Sequence, residues 1–110
     1  MEVKKETLPG VVVYRINGEL NAATGSNLES ALAIGEENSR VLLDMRDVTY
    51  VSSGGLRVIV QAAKRAKAAK GSVAIFGLRP LVQEVFDLSG LGNIIPIVSN
   101  ETEARAKLGM

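Results

Sequence analysis

Apolar positions along the chain recur with two periods, and each change of period marks an element. Val11 to Ile16 is a β-branched and aromatic run, separated by a Pro9-Gly10 turn from the weakly alternating Glu2 to Thr7. Together they predict an antiparallel hairpin ending at Asn17-Gly18. Leu28, Ala31 and Leu32 then fall at helical spacing, with Thr24 or Ser26 as the cap and Ser26 with Glu29 as a capping box. The run Val41 to Met45 is continuously apolar, as in a strand covered on both faces. Leu56, Ile59, Val60 and Ala63 are spaced i, i+3, i+4, i+7 and predict an amphipathic helix. Arg57, Gln61 and Lys64 fall on another face of it, and Lys70-Gly71 closes it with a cation and a C′ glycine.

Ser72 to Leu78 reads as the next buried strand. Pro80 suits the first turn of a helix that turns Leu81, Val85 and Leu88 inward and ends before Gly90. Ile94 to Ser99 carries Pro96, which places it at a sheet edge. Asn100 and Glu103 open a terminal helix through a second capping box. The order β-β-α-β-α-β-α-β-α predicts an α/β fold: a mainly parallel sheet with right-handed crossovers and an antiparallel N-terminal hairpin.

Composition narrows the chemistry more than the fold. The 110 residues form one domain, 1–110, with 46% apolar and 23% charged residues, as in a soluble globular chain. A net charge of +1 supplies no global field towards nucleic acid or an anionic membrane. No apolar run is long enough for membrane insertion, and the first residues, MEVKKE, lack the apolar stretch of a signal peptide. The expected location is therefore cytoplasmic. Cysteine and histidine are both missing, which removes Ser-His and Cys-His nucleophile pairs, histidine bases and the common zinc sites. The chain reads as a non-enzyme without metal or other cofactors.

The stretch Tyr50 to Ile59, YVSSGGLRVI, lies between a buried strand and a helix. In such sheets this passage sits at the carboxyl edge, where ligands bind. The helix beginning near Gly54 presents unpaired N–H groups and a positive dipole end to an anion, bound or attached to Ser53. Gly54 and Gly55 are expected to leave the backbone open to a partner. The plain alternative is that Ser52 or Ser53 only caps the helix, stabilising it by about 1 kcal/mol over alanine. A Walker-type loop lacks its lysine and spacing here. The run Lys64 to Lys70, KRAKAAK, has no interleaved aromatics and reads as a solvated helix face rather than an RNA-binding patch. Phe86 and Leu91 read as core.

These residues resemble the STAS-domain anti-sigma factor antagonists of bacteria. In that family a strand ends in an aromatic residue, an apolar residue and Asp-Ser-[Ser/Thr/Ala]-Gly-Leu, matched here by Tyr50, Val51, Ser52, Ser53, Gly54, Gly55 and Leu56. Gly18 to Asn21, GELN, is similar to the family's Gly-[Glu/Arg/Asp]-[Leu/Ile]-Asp, and Leu78 to Ile97 is similar to its later helix, Phe, Ser/Thr-Gly-Leu and edge strand. The resemblance runs from about Val3 to Leu108. It implies a binding switch. The unphosphorylated form binds an anti-sigma factor that is also a serine kinase and releases a sigma factor. Phosphorylation of the loop serine, Ser53 by position, abolishes binding, and a PP2C-type phosphatase restores it. Asn21, Ser52, Ser53, Gly54 and Gly55 would form the partner-binding face, with Arg57 at its edge.

Two positions depart from the family pattern: Ser52 and Asn21 both stand where it has Asp. Negative charge around the acceptor is lost, and Ser52 becomes an alternative acceptor. Two other functions fit the same loop. One is a constitutive interaction module of a transporter or stress-signalling assembly, with Ser53 only a cap. The other is nucleotide binding at the helix N-terminus.

Overall fold

A computed structural model of the protein describes residues 1–32 and 40–110. Strands β1 (Glu2–Leu8), β2 (Val11–Leu20), β3 (Arg40–Val51), β4 (Ser72–Phe76) and β5 (Ile97–Val98) alternate, after the first hairpin, with helices α1 (Ala22–Ala31), α2 (Ser53–Ala68), α3 (Pro80–Ser89) and α4 (Glu101–Lys107). A 3-10 turn at Leu91–Asn93 follows α3. The sheet order is β1-β2-β3-β4-β5, with β1 and β2 antiparallel and every other neighbouring pair parallel. The expected element order, the N-terminal hairpin and the edge position of β5 all stand.

Period-2 geometry divides the strands between two cores. Val12, Tyr14, Val41, Leu43 and Ile75 face one side with Leu28 of α1, Ile59 of α2, and Val82 and Phe86 of α3. Val11, Val13, Leu42 and Phe76 face the other with Ala104 and Leu108. Three helices therefore cover one face and α4 the other, which is why β2 and β3 read as continuous apolar runs.

Both of those strands run further than their apolar runs. β2 continues through Asn17-Gly18 to Leu20, its register shifting at Gly18, where φ is 105°. β3 continues six residues past Met45 because Val48 and Val51 remain buried. β4 is shorter than expected, since Gly77 (φ 79°) turns the chain out after Phe76.

Three helix details also differ. The cap of α1 is Asn21 rather than Thr24 or Ser26; Ser26 lies inside the helix and donates to the Ala23 carbonyl at 3.1 Å. At the end of α2 it is Lys70, not Gly71, that takes the left-handed conformation (φ 60°). The Gly71 N–H returns to the Ala66 carbonyl at 2.7 Å and the Lys70 N–H to Lys67 at 3.0 Å, a Schellman closure shifted by one residue. In α3 the inward face is Val82 and Phe86, while Leu81 and Leu88 are 74% and 86% exposed. The apolar residues of α3 span two faces, and burying the large ring of Phe86 decides between them.

Candidate functional site

Two helix starts meet at the carboxyl edge of β2 and β3. At the first, the Asn21 side-chain oxygen accepts from Ala23 N and Thr24 N, both at 3.0 Å. Thr24 Oγ1 accepts from Asn21 N at 2.9 Å and donates to the Glu19 carbonyl at 2.7 Å, completing a capping box. At the second, Ser52 Oγ accepts from Gly55 N at 3.3 Å, and the Leu56 N–H reaches the Ser52 carbonyl at 2.9 Å. The Ser52 N–H donates to the Leu20 carbonyl at 2.9 Å, tying the two starts together.

The two serines are therefore not equivalent. Ser52 is half-buried, and its hydroxyl is engaged as the cap of α2. Ser53 is the first helical residue, exposed, and its hydroxyl makes no hydrogen bond among the described residues. The first turn of α2 carries no acidic side chain to offset its dipole, so an anion at Ser53 meets a favourable field. Arg57, one turn on, is exposed and has no ion pair among the described residues.

The glycines act differently from the expectation of an open backbone. A Cβ on Gly55 would lie 2.5 Å from the Leu20 carbonyl oxygen, and one on Gly54 would lie 3.0 Å from the Ala22 backbone. On the side where each Cβ would stand, the chain itself fills the space. Gly55 is buried and Gly54 half-buried, so their role is to let α2 begin hard against β2 and α1. Of the named site residues, Asn21, Ser52, Ser53, Gly54 and Arg57 remain at least partly accessible, while Gly55 lies beneath them.

Sequence reasoning missed the apolar neighbour of this loop. Tyr50 is 52% exposed, and with Thr49, Leu81, Val85 and Leu88 it lines a groove of about 330 Å³ between the end of β3 and α3. Among the described residues of its lining, Glu84 is the one that carries a charge. A second, competing set of apolar positions in α3, two residues of which are exposed, was the available signal. Phe86 and Leu91 are core, as expected.

A second polar cluster, also unmarked by any motif, lies on the α4 side of the sheet. Asp44, 5% exposed, accepts from Arg46 Nη2 at 2.8 Å, Arg46 Nε at 3.0 Å and Arg15 Nη1 at 3.0 Å. Arg15 also donates to Glu6 and Glu101, and Arg105 donates to Glu101 at 3.1 Å. Burial pushes the Asp44 carboxyl up, but the hydrogen bonds from Arg46 and Arg15 outweigh it and hold it below its ordinary value. Glu101 is likewise raised by burial and lowered further by Arg105 and Arg15. Every group in the cluster is paired, which suits attachment of α4 rather than chemistry.

Residues 2–104 match the model of the STAS domain family. BtrV of Bordetella bronchiseptica, provisionally named an anti-sigma factor antagonist, is 35% identical over 108 residues, covering 96% of this chain and 92% of its own. The anti-sigma F factor antagonist of Paenibacillus polymyxa is 29% identical over 111 residues, covering 98% and 95%. Among solved structures, the anti-sigma factor antagonist SpoIIAA in its unphosphorylated form aligns with a TM-score of 0.82 at 20% identity, covering 99% of this chain and 98% of that one. The phosphorylated form of the Bacillus protein aligns at 0.73 with 19% identity, covering 96% and 98%. Among the described residues no helix is long and apolar enough to cross a membrane.

Proposed function

The chain belongs to the STAS-domain family, and on that premise we propose that it is a cytoplasmic anti-sigma factor antagonist that works by partner switching, with Ser53 as its phosphorylation site. The observation that carries this reading is the division of labour between adjacent serines. Ser52 is occupied as the cap, whereas the Ser53 hydroxyl is exposed and unbonded among the described residues, two residues past the end of β3. An apolar groove lined by the last residues of β3, two residues before an unengaged hydroxyl, suits a surface that binds a protein and is then modified by it.

In the unphosphorylated form, Asn21, Ser52, Ser53, Gly54 and Arg57 meet an anti-sigma factor that is also a serine kinase, and the sigma factor is released. Phosphorylation joins Ser53 Oγ to the γ-phosphorus of the kinase's nucleoside triphosphate. The nucleoside diphosphate leaves, and the hydroxyl proton passes to the kinase's base. The product carries about 1.5 to 2 extra negative charges at the centre of the contact. The N-terminus of α2 accommodates that charge, so the fold is kept. Desolvation and repulsion at the partner then remove binding, until a PP2C-type phosphatase hydrolyses the ester. In this cycle the chain is a ligand and a substrate, and the catalysts are its partners.

Neutral Ser52 and Asn21 favour one second reading, a constitutive STAS module without phosphorylation, because the acceptor lacks the acidic neighbours seen in the family pattern. The intact mass of the protein from its own host, with and without phosphatase treatment, separates the two. One phosphatase-sensitive phosphoryl group at Ser53 is the expected result. A chain unmodified in growth and stress, whose partner binding is unchanged in Ser53→Asp, would replace the switch with the constitutive module. A phosphate at Ser52 would keep the switch and overturn the residue assignment.

A further inference from the structure

At the other end of α2, beside the start of β4, a groove of about 610 Å³ runs between the helix and the segment after the 3-10 turn. α2 turns Ile59, Ala62 and Ala66 into the core. Val60 and Ala63, expected to be inward with them, form the next stripe around the helix and are only half-buried. Opposite them stand Ile94, 67% exposed, and half-buried Pro96, with Val73 of β4 between. Its volume falls in the range of small-molecule sites, and its walls are mainly aliphatic.

Among the described residues, the charge lining the groove has one sign. Lys64 and Lys67 border it, no carboxylate lines it, and neither lysine has an ion pair or hydrogen bond among the described residues. The helix C-terminus contributes only about half a negative charge, so the two ammonium groups leave the rim net positive. We propose that this groove binds an amphiphilic anion, an alkyl chain ending in a carboxylate, taken up from solution. The chain would cover Val60, Ile94 and Pro96, removing exposed apolar surface from water. The lysine stems would lie along it while their ammonium groups hold the carboxylate. The site is separate from the switch proposed above: Lys64 and Lys67 lie about 16 and 21 Å along α2 from Ser53.

The test is an amide NMR titration of the full chain with sodium dodecanoate below its micelle threshold. Saturable shifts at Lys64, Lys67, Ser72 and Ile94, with Ser52 and Ser53 unmoved, are expected. The double variant Lys64→Glu/Lys67→Glu should weaken binding about tenfold. Ile94→Ser should weaken it too, which ion pairing at the lysines alone would not produce. Equal affinity for dodecyltrimethylammonium would overturn the proposal, because charge would then play no part. Shifts seen only with phosphatidylglycerol vesicles would replace it with a lipid surface, and concentration-dependent shifts without ligand would replace it with self-association. The absence of any saturable shift by about 1 mM dodecanoate would also overturn the proposal.

Discussion

The Arg15–Asp44–Glu101 cluster beneath α4 and the Ser52–Ser53 loop at the start of α2 both place polar side chains on the same sheet, but they are completed differently. In the cluster, Asp44 accepts hydrogen bonds from two arginines, and Glu101 from two. No buried side-chain polar atom among the described residues lacks a partner. At the loop, Ser53 and Arg57 are exposed without partners among the described residues, and the end of β3 just before them lines an apolar groove with exposed Tyr50, Leu81 and Leu88. A saturated polar network spends its bonding capacity inside the fold and therefore holds α4. An unsaturated edge with exposed apolar surface contributes little to folding and keeps its bonding capacity for another molecule.

If that contrast is right, mutations should separate stability from binding. The largest expected effect divides the two faces of α3. Phe86→Ala should cost about 3 to 5 kcal/mol by opening a cavity. Leu88→Ala should change unfolding free energy by less than about 0.5 kcal/mol while weakening partner capture. Urea unfolding measures both, and a large loss of stability in Leu88→Ala would break the comparison.

Next comes the cluster. Asp44→Asn should destabilise by about 2 kcal/mol, short of the loss for a fully buried pair because both arginines reach solvent. The Asp44 and Glu101 carboxyls are depressed below their ordinary values of 3.8 and 4.5. Their contribution is therefore complete above those values and is lost as pH falls below them towards the folded-state values. The wild-type chain should lose stability as pH falls below 4.5, and Asp44→Asn should lose less. Parallel curves for the two proteins would contradict the assignment.

The smallest effect tests the loop serines. Ser52→Ala should cost about 1 kcal/mol through the lost cap, and Ser53→Ala nearly nothing. Thermal unfolding of the pair would show it, with similar losses in both sinking the distinction between cap and acceptor.

Much of the fold was legible in the chain because period and punctuation are local. The hairpin turn at Pro9-Gly10, the Pro80 start of α3 and the Pro96 edge strand were each marked by a residue whose backbone allows little else. The SSGGL stretch was legible as a helix start for the same reason. Which residues of a helix face inward was not. Leu81, Val85 and Leu88 form as good a stripe as Val82 and Phe86, and only the position of α3 over β3 chooses between them. Asp44 sat unremarked in an apolar run because Arg15, 29 residues before it, is brought beside it only by the pairing of β2 with β3.

The sequence alone thus determined the order of elements, the parallel sheet and the serine-glycine start of α2, since these follow from short-range spacing and backbone preference. Only the tertiary structure decided that Ser52 is engaged and Ser53 is not, that Gly54 and Gly55 are filled by their own chain, and that Leu81 and Leu88 face solvent. The outcomes at the two glycines and the two leucines depend on the distance between segments far apart in the chain, such as Leu20 against Gly55. No local pattern encodes such a distance.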